Sequence, residues 1–326
     1  MKKNVVVIAG GNSSEYEVSL KSGNHIFAEI DGERYRKYLM ILRQRDWYVC
    51  MDGQKYPVDK NDFSFCQGEE KIAFDFAYIT IHGSPGENGM LQGYLDMMGI
   101  PYSSCNTLGE ALTFDKYTCI NYLQGFGIRT TQPVMLIRGK AYDREAILKA
   151  VGLPCFVKPN AEGSSFGVSK VKTAEDFDQA LSLAFEKCRE VLVETFIDGT
   201  EFTCGLYAAG GKKVVFPVAE VIPKKEFFDY DAKYDSTLSD EIIPARFSEE
   251  ITEKIQSMAS EVYDILRCEG IVRIDGFVSE GEVIMLEVNT TPGMTANSFI
   301  PKMARAMGVP LRTILTEIIE DRFNKK

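Results

Sequence analysis

The stretch "GIVRIDGFVSEGEVIMLEVNTTPG", residues 270–293, constrains this chain more than any other. Two apolar runs, 270–278 and 282–289, flank Ser279-Glu280-Gly281, which reads as a hairpin turn. Side chains alternate along a strand, so Arg273 and Asp275 share a face, as do Glu287 and Asn289. Pairing about the turn brings Asp275 near Glu287 and Asn289. Two carboxylates and an amide on a core-flanking face are costly to desolvate unless something compensates them. Hard oxygen donors of this kind suit Mg²⁺, which shares its ligands with substrate phosphates. Arg273 adds a rigid fork of donors for an anion. The bland alternative is a sheet-edge salt bridge from Arg273 to Asp275 or Glu287. The four residues together, followed by Thr290-Thr291-Pro292-Gly293, favour the metal reading.

The chain has 326 residues, room for two or three lobes at roughly 150 residues each. Its formal charge of -10 argues against a general nucleic-acid binder, whose surface is basic. A small anionic ligand stays possible, because local Lys and Arg override the net sign. Eight cysteines occur without CxxC spacing, mostly within apolar segments, and read as reduced core residues rather than a disulfide frame or zinc site. The apolar part of "MKKNVVVIAGG" is too short for a signal peptide. No run reaches the length of a membrane span. The expectation is a cytoplasmic protein without membrane or nucleic-acid partners.

Residues 1–105 alternate strand and helix, as an open parallel α/β sheet does. A β-branched run at 4–9 reads as a buried strand, a pair of strands is expected in 38–50, and "FDFAYITIHG" (74–83) reads as a long strand. Ser14 with Glu17, and Thr107 with Glu110, suggest capping boxes opening helices. Residues 106–198 read as α+β, and 199–326 as a third segment carrying the hairpin. Within it, "KKEFFDYDAKYDSTLSDE" (224–241) lacks any period and reads as a lid loop.

In "VKPNAEGSSFGVSK" (157–170) a lysine ends a strand and a Gly/Ser loop turns back into another. Backbone N–H groups of such a loop can cradle phosphate oxygens, with Lys158 as a point charge. Neither G-x-x-x-x-G-K-[ST] nor G-x-G-x-x-G occurs. "ETFIDGTEF" (194–202) could hold a nucleoside, but a plain connecting strand explains it equally well.

These stretches, with "GTEFT", "MLEVNTTPGMTANS", "GGNSSEYEVS" and "IHGSPGENGMLQGYLDMMGIPYS", resemble the ATP-grasp ligases, specifically the D-alanine–D-alanine ligases. The matches run in order from residue 9 to about 301. The resemblance implies a three-domain ATP-grasp architecture, mixing α/β and α+β, with ATP as substrate and two Mg²⁺ ions, with Mn²⁺ as a substitute. It implies that Lys116 and Lys158 hold the phosphates, under a cover loop containing Ser164 and Ser165. Glu194, Thr195, Phe196 and Ile197 would contact adenine, and Glu201 the ribose. Asp275, Glu287 and Asn289 would hold the metals, with Glu287 also counted among the ATP contacts. Lys233, a further ATP contact, and Tyr234 would lie on the lid.

On the amino-acid side, the resemblance pairs Glu15 with the ammonium of the first D-alanine and places His82 nearby. Arg273 and the Gly293 N–H would surround the reacting carboxyl, and Ser298 would bind the carboxylate of the second D-alanine. Tyr234, Ser164 and Glu15 would form one hydrogen-bonded set. A homodimer is implied by family. The sequence departs from the usual pattern at Asn88, Thr195, Phe196, Phe299 and "SSCNTL" (103–108), away from metal and phosphate positions. The implied activity is D-alanyl-D-alanine synthesis for peptidoglycan; related D-Ala-D-Ser or D-Ala-D-lactate ligases are the alternative, the lactate type being disfavoured by Tyr234. A regulatory nucleotide binder without chemistry is disfavoured because all metal and cationic positions survive.

Overall fold

The computed structural model describes residues 2–163, 166–223 and 239–324. Among them the first sheet comprises β1 (Lys3–Gly10), β2 (Tyr35–Arg43), β3 (Asp46–Met51), β4 (Gln54–Asp59), β5 (Ser64–Gln67), β6 (Glu70–Ala73) and β7 (Phe76–Ile79). Their order is β6-β5-β4-β3-β2-β1-β7. Only β1 pairs in parallel, with β2 and β7; the other pairs are antiparallel. The parallel centre is the expected one, and the meander β3 to β6 extends it. Val5 to Ala9 are fully buried, because helices cover both faces of β1.

Helix α1 (Tyr16–Glu29) packs on one face of this sheet and α2 (Met90–Met98) on the other. Ser14 and Glu17 do not form a capping box: α1 starts at Tyr16, and Glu15 at its N-cap makes no capping bond with its side chain. The segment 74–83 is strand only over Phe76–Ile79; beyond it Thr80 still bonds to Ile8, and the chain then turns at Gly83.

Helices α3 (Thr107–Phe114) and α4 (Lys116–Gln124) follow. Asn106, not Thr107, caps α3 by accepting from the Gly109 N–H at 2.9 Å, and Glu110 turns inward instead. The second sheet contains β8 (Val134–Ile137), β9 (Cys155–Pro159), β10 (Ser169–Val171) and β11 (Glu190–Thr195), in the order β10-β9-β11-β8. Helices α5 (Arg144–Val151) and α6 (Phe177–Lys187) bury their apolar stripes in its core.

The third sheet joins β12 (Thr200–Ala209), β13 (Lys212–Val215), β14 (Ala219–Pro223), β15 (Ser239–Ile242), β16 (Ile271–Ser279) and β17 (Glu282–Asn289). Its path is β15-β14-β12-β16-β17, with β13 on β12. Residues 239–241 of the expected lid therefore belong to a strand; 224–238, with Lys233 and Tyr234, lie outside the described residues, as do Ser164 and Ser165. Helix α7 (Glu249–Ile265), capped by Ser248, sets Ile255, Ala259 and Val262 against this sheet at helical spacing.

The last helices, α8 (Phe299–Ala306) and α9 (Leu311–Asn324), close a core shared with α1 and β1. Val5, Ile26 and Phe76 from the start of the chain pack in one cluster with Tyr207, Ile300, Ile314 and Ile318. Cys119 and Leu123 of α4 likewise join the core of the third sheet. Two of the eight cysteines, Cys50 and Cys66, are exposed on their strands rather than buried.

Candidate active site

The hairpin forms as expected, but counting back from its turn does not give the observed pairing. Ser279 pairs with Glu282 and Gly276 with Met285; beyond Gly276 the register slips by one, so Asp275 faces Glu287 and Arg273 faces Asn289. Leu286 is the extra residue of a β-bulge. Without the slip Asp275 would oppose Leu286, and Glu287 would point through the other face of the sheet. Gly276 permits the close approach: a Cβ there would meet the Ile284 carbonyl at 2.4 Å and the Phe202 ring at 2.6 Å. The bulged strand is held from its open edge, where the Met285 N–H donates to the Arg129 carbonyl at 2.9 Å.

Asp275 is buried and receives donors from three strands. Arg273 Nε donates to Oδ1 at 2.9 Å, and its terminal nitrogen to Oδ2 at 2.7 Å, a bidentate pair. Asn289 Nδ2 donates to Oδ2 at 3.0 Å, and Thr203 Oγ1 on β12 donates to Oδ1. The Arg273 guanidinium also lies 5.9 Å from the Phe299 ring centre. Lys116, the first residue of α4, places Nζ 3.8 Å from Glu287 and donates to the Glu162 carbonyl at 2.7 Å. Asn160 sets this helix end by accepting from the Tyr117 N–H at 2.8 Å.

Lys158 on β9 pairs with Leu192 on β11 and reaches diagonally to Glu194, two residues along, forming a buried ion pair at 2.7 Å. Thr131 donates to the other Glu194 oxygen at 3.3 Å. Thr195 is exposed just beyond, and Phe196 stacks under Lys170 with Nζ 4.1 Å from its ring centre. Ile197 and Glu201 are half-buried on the same run.

The turn after β17 is gripped by residues from the first third of the chain. Thr290 Oγ1 donates to Glu110 on α3 at 2.5 Å, and His82 is hydrogen-bonded to the Thr291 backbone. The Met294 N–H donates to Ser22 Oγ at 3.3 Å, while its carbonyl accepts from His25 Nδ1 at 2.7 Å. Burial lowers the His82 pKa, against a raising effect from Glu15. Glu87, next along its loop, accepts from the Gly83 N–H at 2.6 Å, and burial pushes its carboxyl well above the usual range, with Glu15 adding to the effect. Glu15 is buried with Oε2 close against Gly163, where a Cβ would come within 2.1 Å. Ser298 Oγ lies 3.0 Å from where a Cβ on Gly293 would sit and accepts from the Thr295 N–H at 3.1 Å.

The family model described as D-ala D-ala ligase N-terminus matches residues 4–105, and D-ala D-ala ligase C-terminus matches 122–320. The chain belongs to the D-alanine–D-alanine ligase family. A D-alanine–D-alanine ligase of Bacteroides fragilis is 53% identical over 325 residues, 99% of this chain and 100% of the relative. The VanG D-Ala:D-Ser ligase from Enterococcus faecalis superposes with a TM-score of 0.85 at 34% identity, covering 98% of this chain and 99% of that one. The D-alanine–D-alanine ligase from Bacillus anthracis complexed with ATP gives 0.79 at 30% identity, covering 99% and 98%. The mixed α/β architecture is thus that of the ATP-grasp ligases.

Among the described residues, several of the expected positions contact one another. Arg273, Asp275, Asn289, Glu287 and Lys116 form one contact chain. Lys158 and Glu194 form another, and Glu15, His82, Gly293 and Ser298 lie along the Gly163 and 290–298 side. Sequence reading missed the residues that hold these in place: Ser22, Glu110, Thr131, Asn160 and Thr203. The donor set fits Mg²⁺: Asp275, Glu287 and Asn289 bring two carboxylates and an amide to one face beside cationic groups suited to phosphate. Among the described residues no helix is long and apolar enough to cross a membrane.

Proposed function

We propose that the protein joins two D-alanines at the expense of ATP, releasing ADP and phosphate, for peptidoglycan precursor synthesis. The 53% identity to a D-alanine–D-alanine ligase along the whole chain supports this. The observation that carries it is the bulged hairpin, which faces Arg273 and Asp275 toward Glu287 and Asn289 beside Lys116. In this reading the first D-alanine carboxylate attacks the γ-phosphorus of ATP, breaking its bond to the β-γ bridging oxygen and giving an acyl phosphate and ADP. The amine of the second D-alanine attacks that carbonyl, loses a proton, and expels phosphate.

Phosphoryl transfer needs positioning and charge neutralisation more than covalent help. Lys116 and Lys158 take the phosphates, and Lys158 exchanges its Glu194 partner for them. Glu194 to Ile197 take the adenine and Glu201 the ribose. Asp275, Glu287 and Asn289 would hold two Mg²⁺ ions, which supply charge neutralisation at the phosphates when bound. Glu15, with His82 beside it, orients the ammonium of the first D-alanine. Arg273 and the Gly293 N–H stabilise the oxyanion, and Ser298 binds the second carboxylate. Ser164, Ser165, Lys233 and Tyr234 complete the cover. Lobes at 1–105, 106–198 and 199–326, a homodimer and a cytoplasmic location belong to the same reading.

ADP release stimulated by D-alanine tests it, with product mass read alongside. No stimulation by any D-amino acid rejects the reading. A larger yield with D-serine would favour the D-Ala-D-Ser alternative, which the VanG likeness keeps in view.

A further inference from the structure

Glu110 has no role in the mechanism above, yet it is fully buried in the middle of the molecule. It sits on α3, the helix directly before Lys116. One carboxyl oxygen accepts from Thr290 Oγ1 at 2.5 Å, and Thr113, one turn further on, places its hydroxyl 3.5 Å from the same Thr290 oxygen. The Ser104 hydroxyl and the Cys105 N–H also lie against the carboxyl, but neither closes a well-formed bond to Oε1. A buried carboxyl is a poor core filler, since an apolar side chain would avoid the desolvation cost. Burial, first, and the Cys105 thiol push its pKa well above the usual range, while the Thr290 and Ser104 hydroxyls oppose them.

A second buried polar side chain lies alongside. Gln92 on α2 donates from Nε2 to the Gly86 carbonyl at 2.6 Å and to Ser104 Oγ at 3.0 Å, and its Oε1 is also without a partner among the described residues. Gly86 precedes Glu87 in the loop that carries His82. Ser104 lies six residues before Glu110. Buried polar groups thus run from the His82 loop, by Gln92 and Ser104, to Glu110 and Thr290. Thr290 lies between Asn289 and the turn at Gly293.

We propose that Glu110 is a positioning residue: through Thr290 it fixes the 289–293 turn against α3 and Lys116, and so sets where the Gly293 N–H and the hairpin ligands meet the reacting groups. This rests on the functional reading of the site given above. An interaction that places transition-state donors shows in kcat, whereas a merely space-filling residue shows in stability.

The test uses Glu110→Leu and Thr290→Val, which keep volume and delete the acceptor or the donor, with Glu110→Gln and Thr290→Ser as conservative partners. Glu110→Leu and Thr290→Val are expected to lower kcat by about 10- to 100-fold, as displacements below 1 Å do, with the KM for ATP little changed. The double variant should lose no more than either single, because one bond is removed in all three. Glu110→Gln and Thr290→Ser should restore most of the turnover. Independently of activity, amide exchange at residues 290–294 should quicken in Glu110→Leu and not in Glu110→Gln; equal protection in both overturns the proposal even if D-alanine is not the substrate. A folded Glu110→Leu variant with parental kcat overturns it, as do losses that add in the double variant. A parent enzyme without D-alanine-dependent turnover would instead reject the function, leaving the exchange result to decide on Glu110.

Discussion

Gly163→Ala separates the fold from the site. A Cβ on Gly163 would stand 2.1 Å from Glu15 Oε2, and real Cβ atoms essentially never approach within 3.0 Å. The carboxylate must therefore retreat by about 0.9 Å, and misplacements near 1 Å can cost about 10²-fold in rate. The obstacle is the far end of a flexible side chain, so the backbone is spared and thermal unfolding should move little. Glu15 is buried and cannot simply swing into water. The expected result is a fall of about 10²-fold in kcat/KM for D-alanine, equivalent to about 2.7 kcal/mol of transition-state stabilisation. ADP release is followed twice, with D-alanine varied at saturating ATP and with ATP varied at saturating D-alanine. A folded variant with unchanged kcat/KM for D-alanine, or one impaired toward ATP alone, refutes the reasoning.

Arg273→Ala strips Asp275 of its bidentate partner and the reacting carboxyl of its fork; turnover should drop below about 10⁻³ of the parent, in line with loss of an oxyanion donor, while circular dichroism stays native. Asp275→Asn should shift the Mg²⁺ dependence of ADP release to higher concentration, read by titrating the metal at fixed ATP. Glu194→Ala leaves Lys158 buried without its carboxylate and should cost about 3–5 kcal/mol in denaturant unfolding, as breaking buried ion pairs does. Glu110 has a raised folded-state pKa, so its contribution to stability is full below the unfolded pKa and is lost as pH rises toward the folded one. In that window the parent loses about 1.4 kcal/mol per pH unit relative to Glu110→Gln. Urea midpoints of the two proteins that stay parallel as pH rises above the unfolded-state value would contradict it.

Much of this molecule was legible in the order of its residues. The apolar run at 4–9 and the two strands of the hairpin follow from local periodicity and turn chemistry. The ligand types, Asp, Glu, Asn and Arg, were visible because polar groups ending buried strands demand a reason. Helix starts were misplaced at Ser14 and Thr107, where Glu15 and Asn106 took the cap positions in the folded chain. Glu110 looked like half of a local cap and proved to be a buried partner of a residue 180 positions away.

Only the tertiary structure decided whether the carboxylates meet. Strict alternation from the turn puts Asp275 and Glu287 on opposite faces, and the bulge at Leu286 reverses this. The bulge is stabilised from outside the hairpin, by the Arg129 carbonyl, and admitted by Gly276 against Phe202. A strand's side-chain period of two means that one inserted residue changes the face of everything beyond it, and whether it is inserted depends on neighbours far away in sequence.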